Sequence, residues 1–177
     1  MKRTEIATTL FLLMIFFAMH SFHTEAQDMD TLKLSSPAFK HNESIPSKYT
    51  CDGADVNPPL MIENVPSGTK SLALIVDDPD APAGTWVHWV VWNMGPSTIE
   101  IKENSIPSGA LQGFNDFRKT DYGGPCPPSG THRYFFKLYT LDMMLSLDPK
   151  TKKADLERAM KGHILAQCEL IGLYKRK

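Results

Sequence analysis

The sequence predicts a mainly β protein, an antiparallel β-sandwich with one or two peripheral helices. Three observations predict it. Turn-forming residues recur about every 8 to 15 positions, with 13 prolines and 11 glycines punctuating the 177-residue chain. Between them lie three strongly apolar runs, 71–78 (SLALIVDD), 85–93 (TWVHWVVWN) and 132–142 (HRYFFKLYTLD). Only one segment, 148–163 (DPKTKKADLERAMKGH), carries a helical repeat, with Leu156, Ala159, Met160 and His163 on one face.

Each element follows from its own pattern. The run 71–78 is apolar and ends in acids. The run 85–93 holds all three tryptophans and is apolar at both parities, which suits a strand buried on both faces. Strict alternation puts His88 on the face of Trp86, Val90 and Trp92. In 132–138 one face carries His132, Tyr134, Phe136 and Leu138, and is the inner one; Arg133, Phe135 and Lys137 share the other. Asp148 and Pro149 mark the approach to the helix, and the closing 164–175 returns to the sheet as a strand. The long stretch 95–131 is irregular and contains the loop DYGGPCPPSG.

The length suits one domain with a full hydrophobic core. Lys2 and Arg3 precede an apolar stretch, Ile6 to Met19, and small residues follow at Thr24 and Ala26. This is the pattern of a secretory signal over residues 1–26, leaving a mature domain of 27–177 in the periplasm or outside the cell; an uncleaved anchor is the alternative. The net charge is −1, and the lysines and arginines cluster only at Lys175–Lys177, which argues against nucleic acid as a partner. Of the three cysteines, Cys51 and Cys126 sit in turn-rich loops and Cys168 in an apolar segment expected to be buried. A 51–126 disulfide is the hypothesis this raises. No CxxC pair or zinc-spaced Cys/His cluster occurs, and no cofactor motif is evident.

Polar side chains gather where the apolar runs meet proline-stiffened loops. Asp78 and Asp80 lie in DDPDAP, His88 in the tryptophan run, and His132 and Tyr134 at the start of the third run, next to GPCPPSG. Alone, each has an ordinary explanation: a turn cap, a hydrogen-bonded core histidine, a packed tyrosine. Together they describe a small preformed cavity.

The stretches DDPDAPAGTWVHWVVWN and GPCPPSGTHRYFFKLYTLD closely resemble the phosphatidylethanolamine-binding protein family, in particular its bacterial and archaeal Raf kinase inhibitor-like branch. YTCDGADVNPPL, NVPSGTKSLALIV and AMKGHILAQCELIGLY extend the likeness over about residues 31–175. The resemblance implies a β-sandwich with a pocket for phosphate-like anions, lined by Asp78, Asp80, His88, Pro127, Pro128, His132 and Tyr134. Arg118 and Asp121 depart from the branch pattern and are expected to add a cation and an anion at the pocket rim.

The function expected is therefore that of a non-enzymatic exported module binding a phosphate-like anion or a phosphorylated small molecule or headgroup. A carboxylate facing an anion would repel it, so Asp78 is expected to pair with His88 or to donate when protonated. The resemblance also implies a version in which the pocket rim inhibits a kinase or protease, although export would separate the chain from cytosolic kinases. A protein partner, peripheral membrane contact and a homodimer stay open. The rival is a hydrolase using the Asp/His/His cluster as acid and base or as a metal site, with Cys126 as its candidate nucleophile. The absence of GxSxG and HExxH motifs argues against that rival.

Overall fold

The computed structural model describes residues 31–176. The leading segment 1–26, read above as a secretory signal, lies outside them. Nine strands, among the described residues, form two sheets. A small one has the order β1 (Lys33–Ser35), β3 (Leu60–Glu63), β6 (Glu100–Ile101). The large one runs β2 (Glu43–Ser44), β9 (Ile164–Tyr174), β8 (His132–Leu141), β4 (Ser71–Asp78), β5 (Trp86–Met94), β7 (Leu111–Gln112). The expected mainly β sandwich is present, with one exception to antiparallel pairing. β2 lies parallel to β9, held by Asn42 N–H to the Ile171 carbonyl and Ile45 N–H to the Leu173 carbonyl. These two strands are far apart in sequence and no hairpin constrains their direction.

The three apolar runs are the three central strands of the large sheet. Leu72, Leu74 and Val76 of β4 and Tyr134, Phe136 and Leu138 of β8 point into the core between the sheets. Ala73 and Ile75 face the other way, onto a second core closed by Leu156 and Met160 of the helix α1 (Lys153–Met160). Both faces of β4 are therefore buried, as the continuous apolar pattern requires.

Strict alternation fails in β5. Asp77 of β4 pairs with Val87 and Val76 with Trp89, so His88 is the extra residue of a β-bulge. A bulge reverses the phase of its strand. Trp89 and Val91 consequently enter the inter-sheet core, while Val87, Val90 and Trp92 pack on the helix side. His88 does not share its face with Val90 and Trp92, as the sequence suggested. A second irregularity near the end of β5 places Asn93 at φ 58°, and its amide bridges both backbone groups of Leu145.

The helix is shorter than its pattern. Asp148 caps a turn through Lys150 N–H and Thr151 before the helix starts, and Gly162 at φ 85° ends it. His163 therefore lies beyond the helix and pairs with Asp142 at 2.9 Å. Cys168 is half-buried rather than enclosed, yet burial still pushes its thiol up to about 11.

One charged group is fully buried on the helix side. Asp77 lies between Lys137 of β8, at 2.8 Å, and Lys153 of α1, at 2.5 Å, and so fastens the helix to the sheet. Replacing it removes the anchor of both lysines. Asp77→Ala should lower the unfolding free energy by roughly 1–3 kcal/mol, seen as an earlier urea midpoint.

Candidate functional site

β4 ends in two acids that alternation sends to opposite faces. Asp77 goes to the helix side and Asp78 to the inner side, where β4, β5 and β8 all end at the same edge. Asp78 is almost inaccessible. Its Oδ2 accepts the His132 Nδ1–H at 2.7 Å and its Oδ1 accepts the Asp80 backbone N–H at 2.8 Å. One carboxylate thus joins the end of β4, the following turn and the start of β8. The partner of Asp78 is His132 and not His88, because the bulge carries His88 toward a different acceptor.

That acceptor is the Gly123 carbonyl, 2.6 Å from His88 Nδ1. Since a carbonyl can only accept, Nδ1 carries the proton and the other nitrogen, Nε2, is a lone-pair acceptor in the neutral ring. Burial pushes His88 down from the usual histidine value, opposed by the Gly123 bond and the nearby Asp78 charge. The ring is also gripped edge-on by Tyr134 and Phe117, with ring centres 5.2 and 5.3 Å away.

The strip 113–124 seals the bulged edge. Asp116 accepts Val87 N–H at 2.7 Å and returns its own N–H to the Val87 carbonyl. Gly123 N–H and the Asn115 amide both donate to the His88 carbonyl. Side chains at 123 and 124 would collide with neighbours: a Cβ on Gly123 would stand 2.5 Å from the Phe117 ring, and one on Gly124 2.7 Å from the Tyr49 carbonyl. Those two glycines let the strip close on the Phe117 ring and on the Tyr49–Asp55 segment. Beyond them, the Cys51–Cys126 disulfide is formed, with Cα atoms 5.5 Å apart, and it holds the Pro127–Pro128 wall against the 47–53 turn.

These parts enclose a cleft of about 290 Å³ lined by Asp78, His88, His132, Pro127, Pro128 and Cys126, with Ala81, Pro82, Trp86 and Phe117 completing the wall. The predicted site residues meet here with two qualifications. Tyr134 lies beneath the cleft floor, fully buried, and its hydroxyl has no hydrogen-bond partner among the described residues. Burial, with the Asp78 charge beside it, raises its phenol far above the ordinary value. Asp80 faces away from the cleft: its carboxylate accepts from the Arg133 backbone N–H at 2.9 Å and from the guanidinium at 2.9 and 2.7 Å.

Arg118 and Asp121 do not join this rim. Arg118 lines a neighbouring hollow with Asn115, Asp116 and Lys152, and Asp121 lines another with Asp55 and Asn104. The Asn115 side chain fixes this outcome, accepting Lys119 N–H and donating to the Asp121 carbonyl. Trp86 and Phe117 went unnoticed as site residues in the sequence. Trp86 was legible as an even-numbered neighbour of His88, whereas nothing local marks Phe117. Cys126 is consumed in a disulfide, so its sulfur is not a free nucleophile beside His132.

The fold and site together define a β-sandwich with a small preformed cleft where its central strands end. The sequence profile described as phosphatidylethanolamine-binding protein matches residues 35–175. A UPF0098 protein of Methanothermobacter thermautotrophicus is 50% identical over 150 residues, covering 82% of this chain and 99% of its own. Another, of Aquifex aeolicus, is 51% identical over 152 residues, covering 82% and 89%. The crystal structure of a phosphatidylethanolamine-binding protein homologue from Chlamydia trachomatis superposes with a TM-score of 0.80 at 41% identity, covering 83% of this chain and 99% of its own. That of Escherichia coli YbcL, described as a new member of the mammalian family, gives 0.78 at 31%, covering 82% and 99%. The chain belongs to the phosphatidylethanolamine-binding protein family.

The Arg133 side-chain bond draws the Asp80 carboxyl down to about 2, with burial working against it. A depressed folded value contributes stability that is present above about 3.8 and lost as the pH falls through about 2. Urea unfolding of the wild type should therefore weaken between pH 4 and 2, and Asp80→Asn should flatten that part of the profile.

Proposed function

We propose that the chain is a non-enzymatic, exported binding protein whose cleft takes phosphate-like anions or phosphorylated small molecules. The observation that carries this reading is the pair of ring nitrogens left open to one small cleft. His88 and His132 both line it, each ring is fixed through Nδ1, and neither Nε2 has a hydrogen-bond partner among the described residues. Protonated, His132 turns its Nε2 into a donor while Asp78 balances the charge from behind. The Asp78 carboxylate is occupied by its two donors, which reduces its repulsion of an anion. Pro127, Pro128 and the disulfide hold the wall in place before a ligand arrives, lowering the entropy cost of binding.

A noncovalent role suits this chemistry better than hydrolysis, since the candidate nucleophile Cys126 is tied up in the disulfide and the Asp78 carboxylate is held by its two donors. Export rests on the leading segment, and a disulfide is compatible with it. Phe117, exposed at the cleft mouth, is where a protein partner would meet a bound ligand.

Calorimetric titration with inorganic phosphate and phosphorylethanolamine tests the reading. Binding should strengthen as the pH falls from 8 to 5, because both neutral rings present lone pairs to the cleft and a proton must lie between each ring and an oxyanion. His132→Ala should weaken it roughly 10- to 100-fold, since it removes a charge-assisted bond and leaves Asp78 short of a donor. Equal affinity in a folded variant would sink the proposal.

A further inference from the structure

The two histidines also constrain which oxyanions fit, an inference that rests on the anion-binding reading above. His88 gives its Nδ1 proton to the Gly123 carbonyl and His132 gives its own to Asp78. In their neutral forms both rings therefore present lone pairs to the cleft, and an oxyanion without protons would set oxygen lone pairs against nitrogen lone pairs. At least one proton must lie between ligand and ring. The two rings differ in how they can supply it. His132 has a carboxylate 2.7 Å behind it that stabilises a cation on the ring. His88 has a neutral carbonyl at Nδ1 and the Tyr134 and Phe117 rings beside it in T-shaped contact.

We propose that the cleft selects phosphate and phosphomonoesters over diesters and sulfate, because a P–OH group of the ligand donates to His88 Nε2 while His132 supplies the second proton from its own ring. Acid groups around His88 do not overturn this. Asp78 lies at the end of β4 with its oxygens already engaged, Asp77 projects to the opposite face between two lysines, and Asp55 is held by the Gly124 N–H. Asp80 is neutralised by Arg133, and the Tyr134 phenol stays protonated. None of them touches the His88 ring to compensate a cation there, and burial acts in the same direction.

The chemical consequence is a distinction within phosphorylated ligands. A phosphomonoester loses its second proton near pH 6 and recovers it on binding, drawing it from the solvent. A diester, such as the headgroup linkage of an intact phospholipid, has no such proton to recover. Sulfate has none either.

Calorimetry on the wild-type protein at pH 8, in two buffers of different ionisation heat, counts the protons taken up. Phosphorylethanolamine should bind at least about tenfold more tightly than glycerophosphorylethanolamine, and phosphate than sulfate, the gap an unanswered buried acceptor produces. The monoester should take up one proton or more. His88→Gln, which offers an amide donor in place of the lone pair, should narrow both gaps. Equal affinities within each pair, or monoester binding without proton uptake, would overturn the proposal while leaving the anion site standing. Failure of all four ligands to bind between pH 5.5 and 8 would remove the anion site and the inference with it.

Discussion

A carboxylate cannot be taken out of water at the end of a central strand unless donors answer its oxygens. Asp78 is in that position, and its two answers organise the whole working edge of the molecule. The His132 ring fixes where β8 begins relative to β4. The Asp80 amide fixes the turn that leaves β4, and Asp80 in turn clasps Arg133 on the opposite side of β8. The strand ends are locked together by polar bonds at the place where apolar packing runs out. A cleft results, because the sandwich is open there yet cannot relax and fill itself.

Much of this was legible in the sequence. The central strands announced themselves through composition, the inner face of β8 followed from simple alternation, and the signature loops carried the family likeness. The cleft residues Asp78, His88, Pro127, Pro128 and His132 converge as expected. Two errors have a common origin in backbone irregularity. His88 was assigned the wrong neighbours and Asp78 the wrong histidine, because one extra residue in β5 is invisible to a period-two reading. The short helix has a similar explanation: its apolar spacing continues through a glycine that the backbone uses as a stop.

What local pattern could not supply was the strip 113–124. Its placement depends on a carbonyl of Gly123 meeting His88, a carboxylate of Asp116 meeting Val87, and an amide of Asn115 holding both ends together. These are contacts between segments about 25 to 35 positions apart, made with backbone groups that any residue possesses. Residue type alone does not reveal them. It also explains why Phe117 escaped notice: its position against His88 is a property of the strip's path, enforced by the missing side chain at Gly123.

The bulge at His88 also separates two kinds of information carried by one strand. Downstream of it, β5 belongs to the core; upstream, its Trp86 and His88 belong to the cleft. Shortening the strand by that single residue would keep the pairings of Trp86 with Asp78, Val87 with Asp77 and Trp89 with Val76, so it would take the histidine out of the cleft and leave the packed half undisturbed. The scaffold and the recognition surface are thus separately editable, and a lineage could lose or rewrite the second by a change in chain length without touching the first.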